Sequence, residues 1–284
     1  MGNLRAILIF PISVAATVAA TLAGAPNAQA WSGEGHRITG HIATALLNDA
    51  ARRQLQQLLG NDDLAEIASV MDDEREQFER AHPGSSKWHY ENREVCDSTA
   101  ACPRGDCLTR QLEPFIRVLR DPHAQRAQRI EAVTVLVHLI GDLHQPLHLA
   151  DNRDRGGNDT WVVLPREREP RRLHETWDYS FVRLNSNRRA PATYAHALLR
   201  EMEPRIAGWQ RGSIESWARE THALGKNAYE TLPGFRCSAM AGANQDAIRL
   251  SASYVQASRQ VVAEQLAKAG ARIAFTLNEI WRSQ

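Results

Sequence analysis

Two segments of this 284-residue chain set a histidine four positions before an aspartate: His138 with Asp142, and His174 with Asp178. At helical spacing the two side chains of each pair leave one face together. Taken singly, either pair could be a surface hydrogen bond. The first, however, stands at the end of an apolar run containing Val133, Val135, Leu136, Val137, Leu139 and Ile140. An imidazole and a carboxylate emerging from such a helix are costly to bury unless something satisfies them, and a divalent metal does so.

More ligand-type residues surround these pairs. In Gly141-Asp142-Leu143-His144-Gln145-Pro146-Leu147-His148, Pro146 breaks the helix and turns His148 in a different direction from His138. His89 lies in Trp88-His89-Tyr90, Asp72 follows a short apolar stretch, and His36 stands near the front of the chain. A set of this size suits a multinuclear centre. Zinc is the best match to mixed imidazole and carboxylate donors in an oxidising compartment, because it needs no redox protection. His144 is read as a structural neighbour of that centre. His41, His82, His123, His196 and His222, which join no motif, are read as surface or packing residues. Trp161, Trp209, Trp217 and Trp281 are read as core.

The elements that must position these residues are helical. Ile38, Ile42, Ala45 and Leu46 recur at i, i+3, i+4 spacing, continue through Leu55, Leu58 and Leu59, and stop at Gly60. Asp62 or Asp63 can start a short helix to about Met71. Further helices are expected over Leu108–Leu119, Ile130–Leu143, Leu173–Phe181, Thr193–Trp209 and Ile214–Thr231, and from Gln245 to the end with a break at Gly270. Trp161-Val162-Val163-Leu164 and the charged turn after it read as a small surface hairpin. The expected fold class is therefore all-α, a single multi-helix domain with a minor β-hairpin.

The first thirty residues read differently. Arg5, an apolar run from Ala6 to Leu22 and the small-residue site Ala28-Gln29-Ala30 form a secretory signal peptide, with cleavage after Ala30. The mature domain would then be residues 31–284, beginning at Trp31, secreted or periplasmic. With Arg5 removed, 33 basic and 33 acidic residues remain. A neutral chain cannot rely on an extended basic surface, so a phosphate partner must be gripped locally. Four cysteines in an exported chain read as two disulfides with three possible pairings. The favoured set joins Cys102 with Cys107 around Pro103-Arg104-Gly105-Asp106, and Cys96 with Cys237. Loop entropy assigns the short bridge roughly 2 kcal/mol and the long one roughly 5.

Several motifs together resemble the S1/P1 zinc-dependent nuclease family. They are Trp31-Ser32-Gly33-Glu34-Gly35-His36, Ala68-Ser69-Val70-Met71-Asp72, Trp88-His89-Tyr90, Val137-His138 through His148, Gly156-Gly157-Asn158, and Leu173 to Asp178. They occur in order from residue 31 to about 181. The two favoured disulfides also resemble that family's short and long bridges.

The resemblance implies three zinc ions. One would be held by Asp72, His89, His138 and Asp142, and a second by the amine and carbonyl of Trp31 with His36 and a shared Asp142. The third would be held by His148, His174 and Asp178. Trp31 becomes such a ligand only after Ala30 is removed. The implied activity is endonucleolytic hydrolysis of single-stranded DNA and RNA, leaving 5'-phosphates, and action on 3'-nucleotides is compatible with the same site. Asp72 would also orient the nucleophile, and Arg75 would face the phosphate. Tyr90 would stack a base, with Asn92 and Asn158 against base edges. Where Asn92 stands, the family often places an acid. A monomer with no membrane partner is expected. The alternative is a zinc-dependent phospholipase C, which would need an apolar membrane-facing surface.

Overall fold

The computed structural model describes residues 31–97, 102, 104–237 and 247–282, so the leader expected over 1–30 lies outside the described residues. The expected all-α class is what forms, with a small sheet. The chain opens with α1 (Gly33–Leu46) and α2 (Asp49–Leu59), then two short helices, α3 (Val70–Asp73) and α4 (Arg75–Ala81). Next come α5 (Leu108–Arg120) and α6 (Arg126–Leu143). A segment comprising α7 (Leu173–Glu175), a π-helical turn (Thr176–Ser180) and α8 (Phe181–Ser186) leads into α9 (Pro191–Trp209), α10 (Ile214–Glu230) and α11 (Ala252–Ile280).

The pattern read as continuous from Ile38 to Leu59 is two helices. Asn48 caps α2 by accepting from the Ala51 N–H at 2.8 Å, which favours a new start there over continuation. The segment after Asp63 is a 3₁₀ turn followed by α3 rather than one short helix. No break occurs at Gly270. A Cβ there would lie 2.4 Å from the Ile42 side chain, so the glycine serves close packing of α11 on α1 instead of ending the helix.

The hairpin forms as β1 (Trp161–Val163) and β2 (Arg171–Arg172), antiparallel, with Trp161 opposite Arg172. A third strand, β3 (Ile248–Arg249), adds to β1 in parallel and was not expected. Trp161 is not core: it is 41% exposed on the outer side of β1, with the Arg172 guanidinium 5.7 Å from its ring centre. Trp209, Trp217 and Trp281 are buried as expected.

Two apolar clusters build the core. One joins α2, α5, α6 and the end of α11, and the other joins the front of α1 with α8, α9 and β1. α6 is buried on all sides from Ala132 to Leu143, so its polar residues stand inside the protein. Both expected disulfides are present, Cys96–Cys237 across 141 residues and Cys102–Cys107 across five. Replacing both Cys96 and Cys237 with serine is expected to lower unfolding free energy by about 2–5 kcal/mol, against about 2 for the short bridge. Urea denaturation of the two double mutants checks the order, and a larger loss for the short bridge would contradict the loop argument.

Candidate metal centre

Asp142 lies fully buried near the end of α6, and three imidazoles converge on its carboxylate. Its Oδ1 is 3.2 Å from His36 Nε2, brought by α1. Its Oδ2 is 3.0 Å from His89 Nδ1 and 3.4 Å from His138 Nε2. Asp72, from α3, faces the same three rings at 3.9 to 4.0 Å. The donor atoms fall into two overlapping groups, His36 with His138 and Asp142, and Asp72 with His89 and His138. The two oxygens of Asp142 point toward different partners.

This packing depends on a glycine. The rings of His36 and His138 stack with centroids 4.0 Å apart, and a Cβ on Gly141 would lie 3.0 Å from His36 Nδ1. No larger residue could stand there without displacing His36.

A third group lies on the far side of Pro146. His148 Nε2 and His174 Nε2 approach to 3.2 Å, and His174 Nε2 is 3.2 Å from Asp178 Oδ2. The π-helical turn, in which Asp178 sits, follows directly after the short α7 that carries His174. Widened turns of this kind recur at functional sites.

The hydrogen bonds make the donor set unusual for a protein core. His138 Nδ1 donates to Ala68 O at 2.8 Å, His174 Nδ1 to Gly156 O at 2.6 Å, and His148 Nδ1 to His89 O. Each tether fixes the tautomer that leaves an Nε2 lone pair facing inward. Inward lone pairs then face one another, as between His148 and His174, without a proton between them. Both nitrogens of His36, Asp72 Oδ1 and Asp142 Oδ1 are buried without a hydrogen-bond partner. Such atoms are costly unless a cation satisfies them, and the oxygen and imidazole donors suit zinc. The residues present therefore fit metal ions in all three groups.

The electrostatics agree. Burial lowers the His138 pKa, but the Asp142 and Asp72 carboxylates outweigh it and raise it to about 9. The two carboxylates thus favour positive charge in the interior, carried either by a proton on His138 Nε2 or by a metal in that proton's place. Burial, then neighbouring His138, keeps His36 below its ordinary value, and burial pushes His148 down to about 3. In the third group burial raises Asp178 well above the carboxylate range, and the neighbouring carboxylates of Asp142 and Asp72 add to this.

The first described residues are fastened to both sides of this centre. Trp31 is fully buried and its indole Nε1 donates to Gly141 O at 2.9 Å, while Ser32 N donates to Asp178 O at 3.1 Å. Around the rim, Tyr90 is 37% exposed next to His89, and Asn92 is half-buried two residues on. Arg75 is half-buried at the first position of α4. Asn158 turns inward, its amide donating to Arg155 O at 2.8 Å, so its nitrogen supports its own loop.

Sequence reasoning missed Gln145. Its side chain is fully buried, donating to Asp178 Oδ1 while accepting from Leu147 N at 2.5 Å. The only signal was its place inside the Gly141–His148 string. Replacing it with leucine should free Asp178 to rotate and weaken binding of a metal by the third group about 10–100-fold, measured by chelator competition. Unchanged affinity would show that Asp178 needs no such support. His144 is structural as expected: its Nδ1 donates to Ile140 O at 2.7 Å and its Nε2 accepts from Arg272 at 3.0 Å.

Comparison with known proteins points the same way. The model of the family described as S1/P1 Nuclease matches residues 31–282. The chain is similar to Nuclease S1 of Aspergillus oryzae, 26% identical over 96% of this chain and 97% of the relative. It is 25% identical to Endonuclease 2 of Arabidopsis thaliana, covering 92% and 93%, and 25% identical to Nuclease P1 of Penicillium citrinum, covering 89% and 99%. All three are named as nucleases and none as a phospholipase. With the match running through every segment that supplies a histidine or aspartate to the centre, the chain belongs to the S1/P1 nuclease family and is a hydrolase of phosphodiester bonds.

Proposed function

We propose that the protein is an exported, zinc-dependent endonuclease that hydrolyses single-stranded DNA and RNA to products with 5'-phosphates. The observation that carries this is Asp142, whose two oxygens face different histidine groups, with a third His–His–Asp group beyond Pro146. Asp72, His89, His138 and Asp142 would hold one zinc; His36, Asp142 and the main chain of Trp31 a second; His148, His174 and Asp178 the third. When bound, the ions would supply Lewis acidity toward phosphate oxygens and a pKa for bound water lowered to about 7.

The chain's own residues supply the rest. The tethered imidazoles keep their donor atoms fixed, so little reorganisation accompanies reaction. Asp142 would hold both of the first two ions, and Asp72 would orient the attacking water. Arg75, following Asp72 by three residues, offsets charge gathering on the phosphate. Tyr90 presents an exposed ring beside a buried centre, a surface on which an unpaired base can stack for roughly 1–3 kcal/mol. Asn92 and Asn158 would meet base edges, Asn158 through its carbonyl oxygen. Bases held in a duplex cannot reach that ring without leaving the stack, which gives the single-strand preference. Cleavage after Ala30 frees the Trp31 amine. Among the described residues no helix is long and apolar enough to cross a membrane.

The test is an assay of the chain beginning at Trp31 on single-stranded DNA, single-stranded RNA and duplex DNA, before and after chelation. Loss of activity on chelation, recovery with zinc, and slower duplex cleavage are expected. Equal rates on duplex and single strands would remove the stacking argument, and activity surviving full chelation would remove zinc.

A further inference from the structure

The loop between Asp151 and Thr160 adopts a backbone that its sequence does not favour. Arg153, Arg155, Gly156 and Gly157 all have positive φ, at 62°, 57°, 63° and 86°. Two of the four are arginines, for which the left-handed region is disfavoured. Such a conformation persists only where the surroundings over-determine it.

Two carboxylates do this. Asp151 Oδ1 accepts from Asp154 N at 3.0 Å and Gly156 N at 2.9 Å. Asp154 is 1% exposed. Its Oδ1 accepts from Gly157 N at 2.9 Å and from the Tyr229 hydroxyl at 2.6 Å, and its Oδ2 from Thr160 Oγ1 at 2.5 Å. Tyr229 comes from α10, 75 residues away, and is itself buried within the second apolar cluster. A buried carboxylate with this many donors is held as an acceptor and has no need of a metal.

The loop ends on the metal centre. Gly156 O accepts from His174 Nδ1 at 2.6 Å, and Gly157 O accepts from His174 N at 3.2 Å. Only glycine fits at position 156, where φ is positive and a Cβ would lie 2.5 Å from Leu147 O. The direction of the Gly156 carbonyl decides which His174 nitrogen carries the proton and where Nε2 points. A network from α10 through Asp154 therefore reaches the ring that faces His148 and Asp178.

We propose that Asp154 and Tyr229 are positioning residues for His174, acting through the Gly156–Gly157 backbone to aim its Nε2 into the third metal group. The proposal rests on the reading that this group holds zinc. It places the determinant of one ion's affinity on a helix that carries none of that ion's ligands.

The experiment uses the chain beginning at Trp31 and its Tyr229→Phe and Asp154→Asn variants, the first of which removes one hydroxyl and keeps the ring. Zinc content is followed by chelator competition, and the exchange rate of the His174 Nδ1 proton by NMR on metal-free protein. In Tyr229→Phe one zinc of three should be held about 10–100-fold more weakly while the other two are unchanged, and Asp154→Asn should exceed this. The His174 proton should exchange at least about ten-fold faster in both, through loss of the same support. Equal weakening of all three zincs would show a general structural role and overturn the proposal. So would an intact third zinc with an unaltered His174 proton. If the unmodified chain binds fewer than three zincs, the trinuclear reading fails, and the proton exchange then decides separately whether the network positions His174.

Discussion

Replacing Asp142 with asparagine should slow cleavage of single-stranded DNA by about a thousand-fold or more and remove two of three zinc equivalents. One carboxylate faces His36 through Oδ1 and His89 and His138 through Oδ2, so its two oxygens are placed to serve two ions. Asparagine preserves the shape but replaces one acceptor oxygen by a donor nitrogen and removes the charge that balances the cluster. The interaction lost is charge stabilisation worth several kcal/mol, and each 1.36 kcal/mol is ten-fold in rate. Single-turnover rates and zinc analysis on the same sample check both halves. A variant with three zincs and a rate within about ten-fold of the parent would mean that Asp142 does not bridge.

A single residue added ahead of Trp31 should have the next largest effect, about a hundred-fold loss of activity together with one zinc. The nitrogen of Trp31 in an internal peptide bond has its lone pair delocalised into the carbonyl and cannot act as a donor. As a free amine it keeps a lone pair that a metal can take once the proton is lost. The same residue is buried and hydrogen-bonded to Gly141 O beside Asp142, so its main chain is held close to the centre. Circular dichroism should show an unchanged fold in the extended chain. Full activity with three zincs in that chain would dismiss the terminal amine as a ligand.

How far the sequence carried these expectations depends on the range of the interactions involved. His138 with Asp142 could be paired from sequence because four residues make about one helical turn, a local fact. His174 with Asp178 was paired for the same reason, though the second residue stands in a π-helical turn that local spacing does not reveal. That Asp72, His89 and His36 reach the same point came through family resemblance, because three separate elements must pack before their side chains meet. The hydrogen bonds that fix the rings were not legible at all. Ala68, His89 and Gly156 supply them through backbone carbonyls, which any residue type possesses. β3 was missed because two residues pairing across some eighty others leave no periodic trace. Trp161 was misassigned because its hydrophobicity suggested burial, whereas it stands at the first position of β1 and is covered only in part, by Arg172 of β2.

The seat of Trp31 beneath Gly141 also bears on the cell that makes the enzyme. If residues 1–30 are cut away as proposed and the freed amine of this buried residue completes the centre, the chain before that cut is a zymogen in effect, harmless to the messages that encode it. Competence would arrive only after translocation, when a peptidase exposes the terminus and oxidation closes the Cys96–Cys237 bridge, so a destructive activity is timed by topology rather than by an inhibitor.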